Sequence, residues 1–80
     1  MLQAEERQSL TRKISMRRGL PSPESRRAIR EMAGVSTADV AQALGVSRQT
    51  ISNWETGKRS PCGAHLEGYL EILSLLREST

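Results

Sequence analysis

The stretch Val40-Ala41-Gln42-Ala43-Leu44-Gly45-Val46-Ser47-Arg48-Gln49-Thr50-Ile51-Ser52-Asn53-Trp54-Glu55 decides how this chain is read. Two short runs with helical spacing of apolar residues meet at Gly45. The first places Val40, Ala41 and Leu44 on one side, and the second does the same with Ile51 and Trp54. A glycine between them permits the left-handed turn that a side chain would resist. Ser47, two residues later, supplies a hydroxyl cap for a new helix. The outward side of the second run carries Arg48, Gln49 and Asn53, where an ordinary surface helix would carry pairs of opposite charge.

Toward the N-terminus, Ser36 followed three residues later by Asp39 has the form of a capping box, which starts the first of the two helices at about Thr37 and carries it to Leu44. Before it, Leu20-Pro21-Ser22-Pro23 disfavours helix upstream and offers a start downstream. Ser22 can cap, Pro23 suits the first helical position, and Glu24 suits the positive first turn. That helix is predicted from about Pro23 to Ala33, burying Ala28, Ile29, Met32 and Ala33, with Gly34 ending it. Residues 1 to 20 are polar and basic, and Leu2, Leu10 and Ile14 are too sparse for an amphipathic face. They read as a flexible arm or a fraying helix, leaving residues 21 to 80 as the folded domain.

Toward the C-terminus, the helix capped by Ser47 should stop near Gly57, and Gly57-Lys58-Arg59-Ser60-Pro61 reads as a loop. From about Ala64 to Arg77 a longer helix carries Leu66, Tyr69, Leu70, Leu73 and Leu76 along one stripe. Ile72 and Leu75 widen that stripe beyond what a four-helix domain needs for its own core.

Composition supports small helices. Eighty residues make one domain with a modest core, so a second copy is a plausible source of stability. With no Phe, one Trp and one Tyr, that core must be mostly aliphatic, which suits helices better than a sandwich or barrel. The net charge is +3 and unevenly spread. Residues 1 to 30 hold eight basic side chains against three acidic, whereas residues 60 to 80 hold Arg77 against Glu67, Glu71 and Glu78. The basic end is compatible with a polyanionic partner, although on charge alone it is equally a solvated face.

Other chemistry is poorly supported. Cys62 is the only cysteine, which excludes an intramolecular disulfide and any cysteine-rich zinc site, and no base adjoins it in sequence. His65 has no second histidine to share a metal with. No glycine-rich phosphate loop and no carboxylate cluster appears, so neither a cofactor nor an enzyme is expected. No apolar run is long enough for a signal peptide or a membrane span, so a cytoplasmic protein is expected.

Helix, glycine-containing turn and helix, the second polar on one side, is the helix-turn-helix arrangement. With Thr37 as its first residue, Ala41 falls where the helices approach most closely and Gly45 falls in the turn. Val40, Leu44, Val46, Ile51 and Trp54 fall inward. The run from Ile29 to Pro61, above all Ile51-Ser52-Asn53-Trp54-Glu55-Thr56-Gly57-Lys58, resembles the Cro and phage-repressor family of helix-turn-helix proteins, also called the XRE family. The resemblance covers residues 23 to 76, about two thirds of the chain.

The resemblance implies an all-α, lambda-repressor-like bundle of four to five helices, with a basic N-terminal arm and a long last helix. It also implies sequence-specific binding of double-stranded DNA by a transcriptional regulator, a repressor or Cro-like protein. In that family the start of the recognition helix enters the major groove, which assigns base contacts to Arg48, Gln49 and Asn53, with Ser52 on the flank. Phosphate contacts would come from Thr37, Ser47, Thr50, Lys58 and Arg59, at helix N-termini and in the basic loop. The family often has Gln where this chain has Thr37, and the shorter side chain weakens that assignment. Glu55, an acid close to DNA, would pair within the domain. Arg12, Lys13, Arg17 and Arg18 would either reach the minor groove or form a basic tail. A homodimer reading two half-sites is expected, its seam at Tyr69, Ile72, Leu73, Leu75 and Leu76 on the last helix. The rival reading is a protein-interaction module or antitoxin component whose main target is another protein.

Overall fold

The computed structural model describes residues 19–79. Within them lie four helices, and no strand occurs among the described residues: α1 Pro23–Met32, α2 Thr37–Leu44, α3 Arg48–Thr56 and α4 Gly63–Glu78. The expected arm, with Arg12, Lys13, Arg17 and Arg18, lies outside the described residues.

Each start predicted for the first three helices has a local cause. Ser22 Oγ accepts the Ser25 amide proton at 3.3 Å, with Pro23 opening α1. At α2 the box is reciprocal: Ser36 Oγ accepts from the Asp39 amide at 3.0 Å, and Asp39 Oδ2 accepts from the Ser36 amide at 3.1 Å. The bond from the Ser36 amide is the largest cause holding the Asp39 carboxyl below its ordinary range, and the nearby Ser36 hydroxyl lowers it further. Ser47 Oγ accepts from the Thr50 amide at 3.1 Å and starts α3. No side-chain bond from Cys62 caps α4, yet the helix runs unbroken through Gly68 to Glu78.

The core is a cluster of Val40, Ala41, Ile51, Trp54, Tyr69 and Leu73, bordered by Leu20, Ile29, Val35, Leu44, Val46, Ile72 and Leu76. α1 packs on α3 and α4, and α2 packs on α3 and α4. Ile51 is fully enclosed, a burial that stabilises by about 1.5–3 kcal/mol. Trp54 stacks at a tilt on Tyr69, ring centroids 4.9 Å apart. α2 crosses α4 closely at Gly68, where a Cβ would stand 2.9 Å from Leu44 Cδ2.

One prediction about α1 fails. Ala28 is exposed and Met32 is 75% exposed, while Arg26 is buried. The inward stripe is Arg26, Ile29, Arg30 and Ala33, with the last three half-buried. Two arginines take core-facing positions because each finds acceptors there. Arg26 Nε donates to the Pro21 carbonyl at 2.8 Å and its Nη1 to the Trp54 carbonyl at 2.7 Å. Arg30 spans Glu55 and the Val35 carbonyl. A buried cation is tolerated when its donors are met in this way.

Candidate nucleic-acid interface

The interface is built from the turn upward. Gly45 adopts φ 70°, ψ 32°, and its N–H reaches back to the Ala41 and Gln42 carbonyls. The Val46 N–H also returns to Ala41 at 3.0 Å. Ala41, 3% exposed, has no side chain beyond Cβ to hold the two helices apart. The chain therefore reverses within a few residues and delivers Ser47 to the start of α3.

With Ile51, Trp54 and Glu55 turned inward, the outer face of α3 is left to Arg48, Gln49, Ser52 and Asn53. Arg48 and Gln49 are exposed, and Ser52 and Asn53 are half-buried. Gln49 Nε2 donates to Asn53 Oδ1 at 3.1 Å, so the two amides predicted to share a face one turn apart are linked side by side. Thr37, Ser47, Arg48, Gln49 and Ser52 line one shallow groove, which brings the first turns of α2 and α3 together. Two helix starts, where backbone N–H groups lack partners within the helix, thus border the same groove. The Thr50 hydroxyl is bonded to that of Ser47 at 2.9 Å.

Beyond α3, Lys58 and Arg59 are exposed. The Arg59 amide donates to the Asn53 carbonyl at 3.3 Å, tying the basic loop to the end of the helix. Glu55 does not line the groove of Arg48 and Gln49. Its carboxylate accepts from Arg30 Nε at 2.7 Å and Nη2 at 3.0 Å, with side-chain exposures of 6% for Glu55 and 15% for Arg30. The bond to Glu55 is the largest cause raising the Arg30 pKa above its ordinary value. The sequence implied that Glu55 pairs internally without naming its partner, and it gave Arg26 no structural role. Their signal was present in the spacing, since Arg26 and Arg30 flank Ile29 on the face that also carries Ala33.

The five residues expected at a dimer seam are not brought together on one surface. Tyr69 and Leu73 are 1% and 3% exposed and belong to the core of a single chain. Ile72 and Leu76 are half-buried against that core, and Leu75 is 56% exposed. Tyr69 and Leu73 face inward because they complete the cluster around Trp54 and Ile51. Among the described residues, no group of His, Cys, Asp and Glu is placed to hold a metal ion, and no helix is long and apolar enough to cross a membrane.

Four helices with a glycine-hinged pair and an outward polar face define a helix-turn-helix domain. A family model described as helix-turn-helix matches residues 27–74. The chain belongs to that family, in its Cro/C1 or XRE type, a class of DNA-binding domains. It is also similar to a protein of Methanocella arvoryzae (strain DSM 22066 / NBRC 105507 / MRE50) that bears the name "Putative HTH-type transcriptional regulatory protein". The two are 43% identical over 44 residues, which cover 55% of this chain and 14% of the relative. The chain thus matches a small part of that protein's length. No solved structure matches.

Proposed function

We infer that this chain is a DNA-binding regulator of transcription that reads an operator of two half-sites as a homodimer. The observation that carries the reading is the outer face of α3, where Gln49 and Asn53 stand linked beside Arg48 while the helix's only acid is turned inward onto Arg30. An arginine can bond O6 and N7 of guanine, and a glutamine or asparagine can bond N6 and N7 of adenine. Family membership and the transcriptional-regulator name of the similar protein support the same reading.

Within it, Arg48, Gln49 and Asn53 contact base edges and Ser52 lies on the flank. Thr37, Ser47, Thr50, Lys58 and Arg59 hold the sugar-phosphate backbone on either side. The seam between copies centres on Leu75 and draws on the outer edges of Ile72 and Leu76. Two half-sites about one helical turn apart give such a dimer the specificity that a lone domain lacks.

The test selects duplexes from a random pool and then compares variants. Gln49→Ala should lose roughly 1–3 kcal/mol of discrimination at one position of each half-site and keep its fold. An equal loss on selected and random duplexes excludes base readout by Gln49. Leu75→Glu should sediment as a monomer, and a dimer that persists moves the seam elsewhere.

A further inference from the structure

The groove at the start of α2 and α3 does not end at Ser52. A second depression is lined by Arg27, Arg30, Thr37, Ser52, Glu55 and Thr56, and it shares Thr37 and Ser52 with the first. The surface beside the recognition helix therefore continues across these two hydroxyl residues toward α1. Of the two cations there, Arg30 is committed to the buried Glu55 carboxylate and the Val35 carbonyl. Arg27 is held differently. Its Nε donates to Glu31 Oε1 at 2.8 Å across one turn of α1, in a pair whose side chains are 64% and 54% exposed. Exposed pairs of this kind are held weakly against water and salt.

We propose that Arg27 is an additional phosphate-binding residue of the interface, its guanidinium leaving Glu31 to take a phosphodiester of the DNA strand that passes the start of α2. This rests on the DNA-binding function inferred above. Every acid lining the depression is already neutralised: Glu55 is the only one, and Arg30 occupies both its oxygens. A phosphate approaching past Thr37 thus meets Arg27 without an uncompensated carboxylate lining its path. The guanidinium fork matches two phosphate oxygens. The exchange is favoured by release of the counterion condensed on that phosphate, which Glu31 cannot supply. Glu31 acts as a placeholder that keeps the side chain along α1 and weakens its hold on DNA.

Binding is measured by titration on a duplex selected by the wild-type protein from a random pool, at several salt concentrations. Arg27→Ala should flatten the slope of log affinity against log salt by about one per half-site. At 0.15 M salt that corresponds to about a fivefold weaker affinity per half-site. Glu31→Gln should bind more tightly than wild type. Glu71→Gln on α4, which changes net charge equally, should give a much smaller gain. An unchanged slope in Arg27→Ala, or equal gains in Glu31→Gln and Glu71→Gln, overturns the proposal while leaving the DNA-binding reading in place. If wild type selects no duplex, both fall together.

Discussion

Replacing Glu55 tests how the recognition helix is held. Glu55→Ala removes two charge-assisted bonds, at 2.7 and 3.0 Å, and leaves the Arg30 guanidinium with its bond to the Val35 carbonyl. Removing one member of a buried ion pair costs about 3–5 kcal/mol, because the other charge stays behind unpaired. Arg30 lies at the margin of the interior, its side chain 15% exposed, so water recovers part of the loss and the lower end of that range, about 3 kcal/mol, is expected. A chain of 80 residues is stable by about 4–12 kcal/mol at about 0.05–0.15 kcal/mol per residue. The substitution therefore removes a large share of the total, and Tm should fall by about 12–24 °C.

The assay is urea unfolding followed by the fluorescence of Trp54, the only tryptophan, which is 4% exposed and so reports loss of the core. The double variant Arg30→Met with Glu55→Leu removes both charges and should regain most of the lost stability. A loss below about 1 kcal/mol in Glu55→Ala, the range of exposed pairs, would refute the reasoning. So would a double variant whose cost equals the sum of Arg30→Met and Glu55→Leu made singly, because two charges that pair with each other must be coupled.

Two further perturbations probe other parts of the frame. The Tyr69 phenol oxygen is buried with no hydrogen-bond partner among the described residues, and burial, the largest cause, pushes its pKa from 10.0 up to about 12. The folded state keeps this proton when the unfolded chain loses it. The contribution is therefore intact below pH 10 and should decline by about 2–3 kcal/mol as pH rises to about 12. Tyr69→Phe should be neutral or stabilising by about 1 kcal/mol near pH 7 and should lack that alkaline decline; parallel pH profiles of the two proteins in urea unfolding would exclude it. Gly45→Ala meets no atom within 4 Å but must hold φ near 70°, so the cost is backbone strain of about 1–2 kcal/mol. A cost well above that in thermal unfolding would mean that the turn also resists bulk.

Much of this fold was legible because its decisive features are local. Ser36 with Asp39, Gly45, and Ser47 each act within three or four residues, and each behaves as its residue type requires. Ile51 and Trp54 were equally readable, since a nine-residue helix has few apolar side chains to bury. The errors arose where polarity and burial part company. Arg26 and Arg30 look like surface residues until a carbonyl and a carboxylate from α3, remote in sequence, are placed opposite them. The expectation that Met32 would be buried follows from the same omission, because the inward stripe of α1 is partly arginine. For α4, the apolar pattern gives a stripe without saying which edge meets the chain's own core. Tyr69 and Leu73 are taken by Trp54 and Ile51, and Leu75 is left outside. The outer face of α3 was legible as a set of residues, and the Gln49 to Asn53 bond follows from their one-turn spacing. Arg27 was not, because its place beside Thr37 and Ser52 comes from tertiary packing alone.

The polar contacts behind α3 also bear on what its outer face can do. Ile51 and Trp54 give the helix adhesion, but apolar contact is non-directional and resists rotation about the helix axis only through shape. The arginines of α1 add direction. Arg26 fixes the Trp54 carbonyl, and the planar fork of Arg30 grips both oxygens of Glu55, so backbone and side chain near the C-terminal end of α3 are set against one rigid neighbour. For side chains about 5–6 Å from the axis, a rotation of about 20° would displace Gln49 and Asn53 by about 2 Å. A paired hydrogen bond to a base edge tolerates only a few tenths of an ångström in distance. The inward acid of α3 is thus the counterpart of its outward amides: Glu55 fixes the angle at which Gln49 and Asn53 are presented.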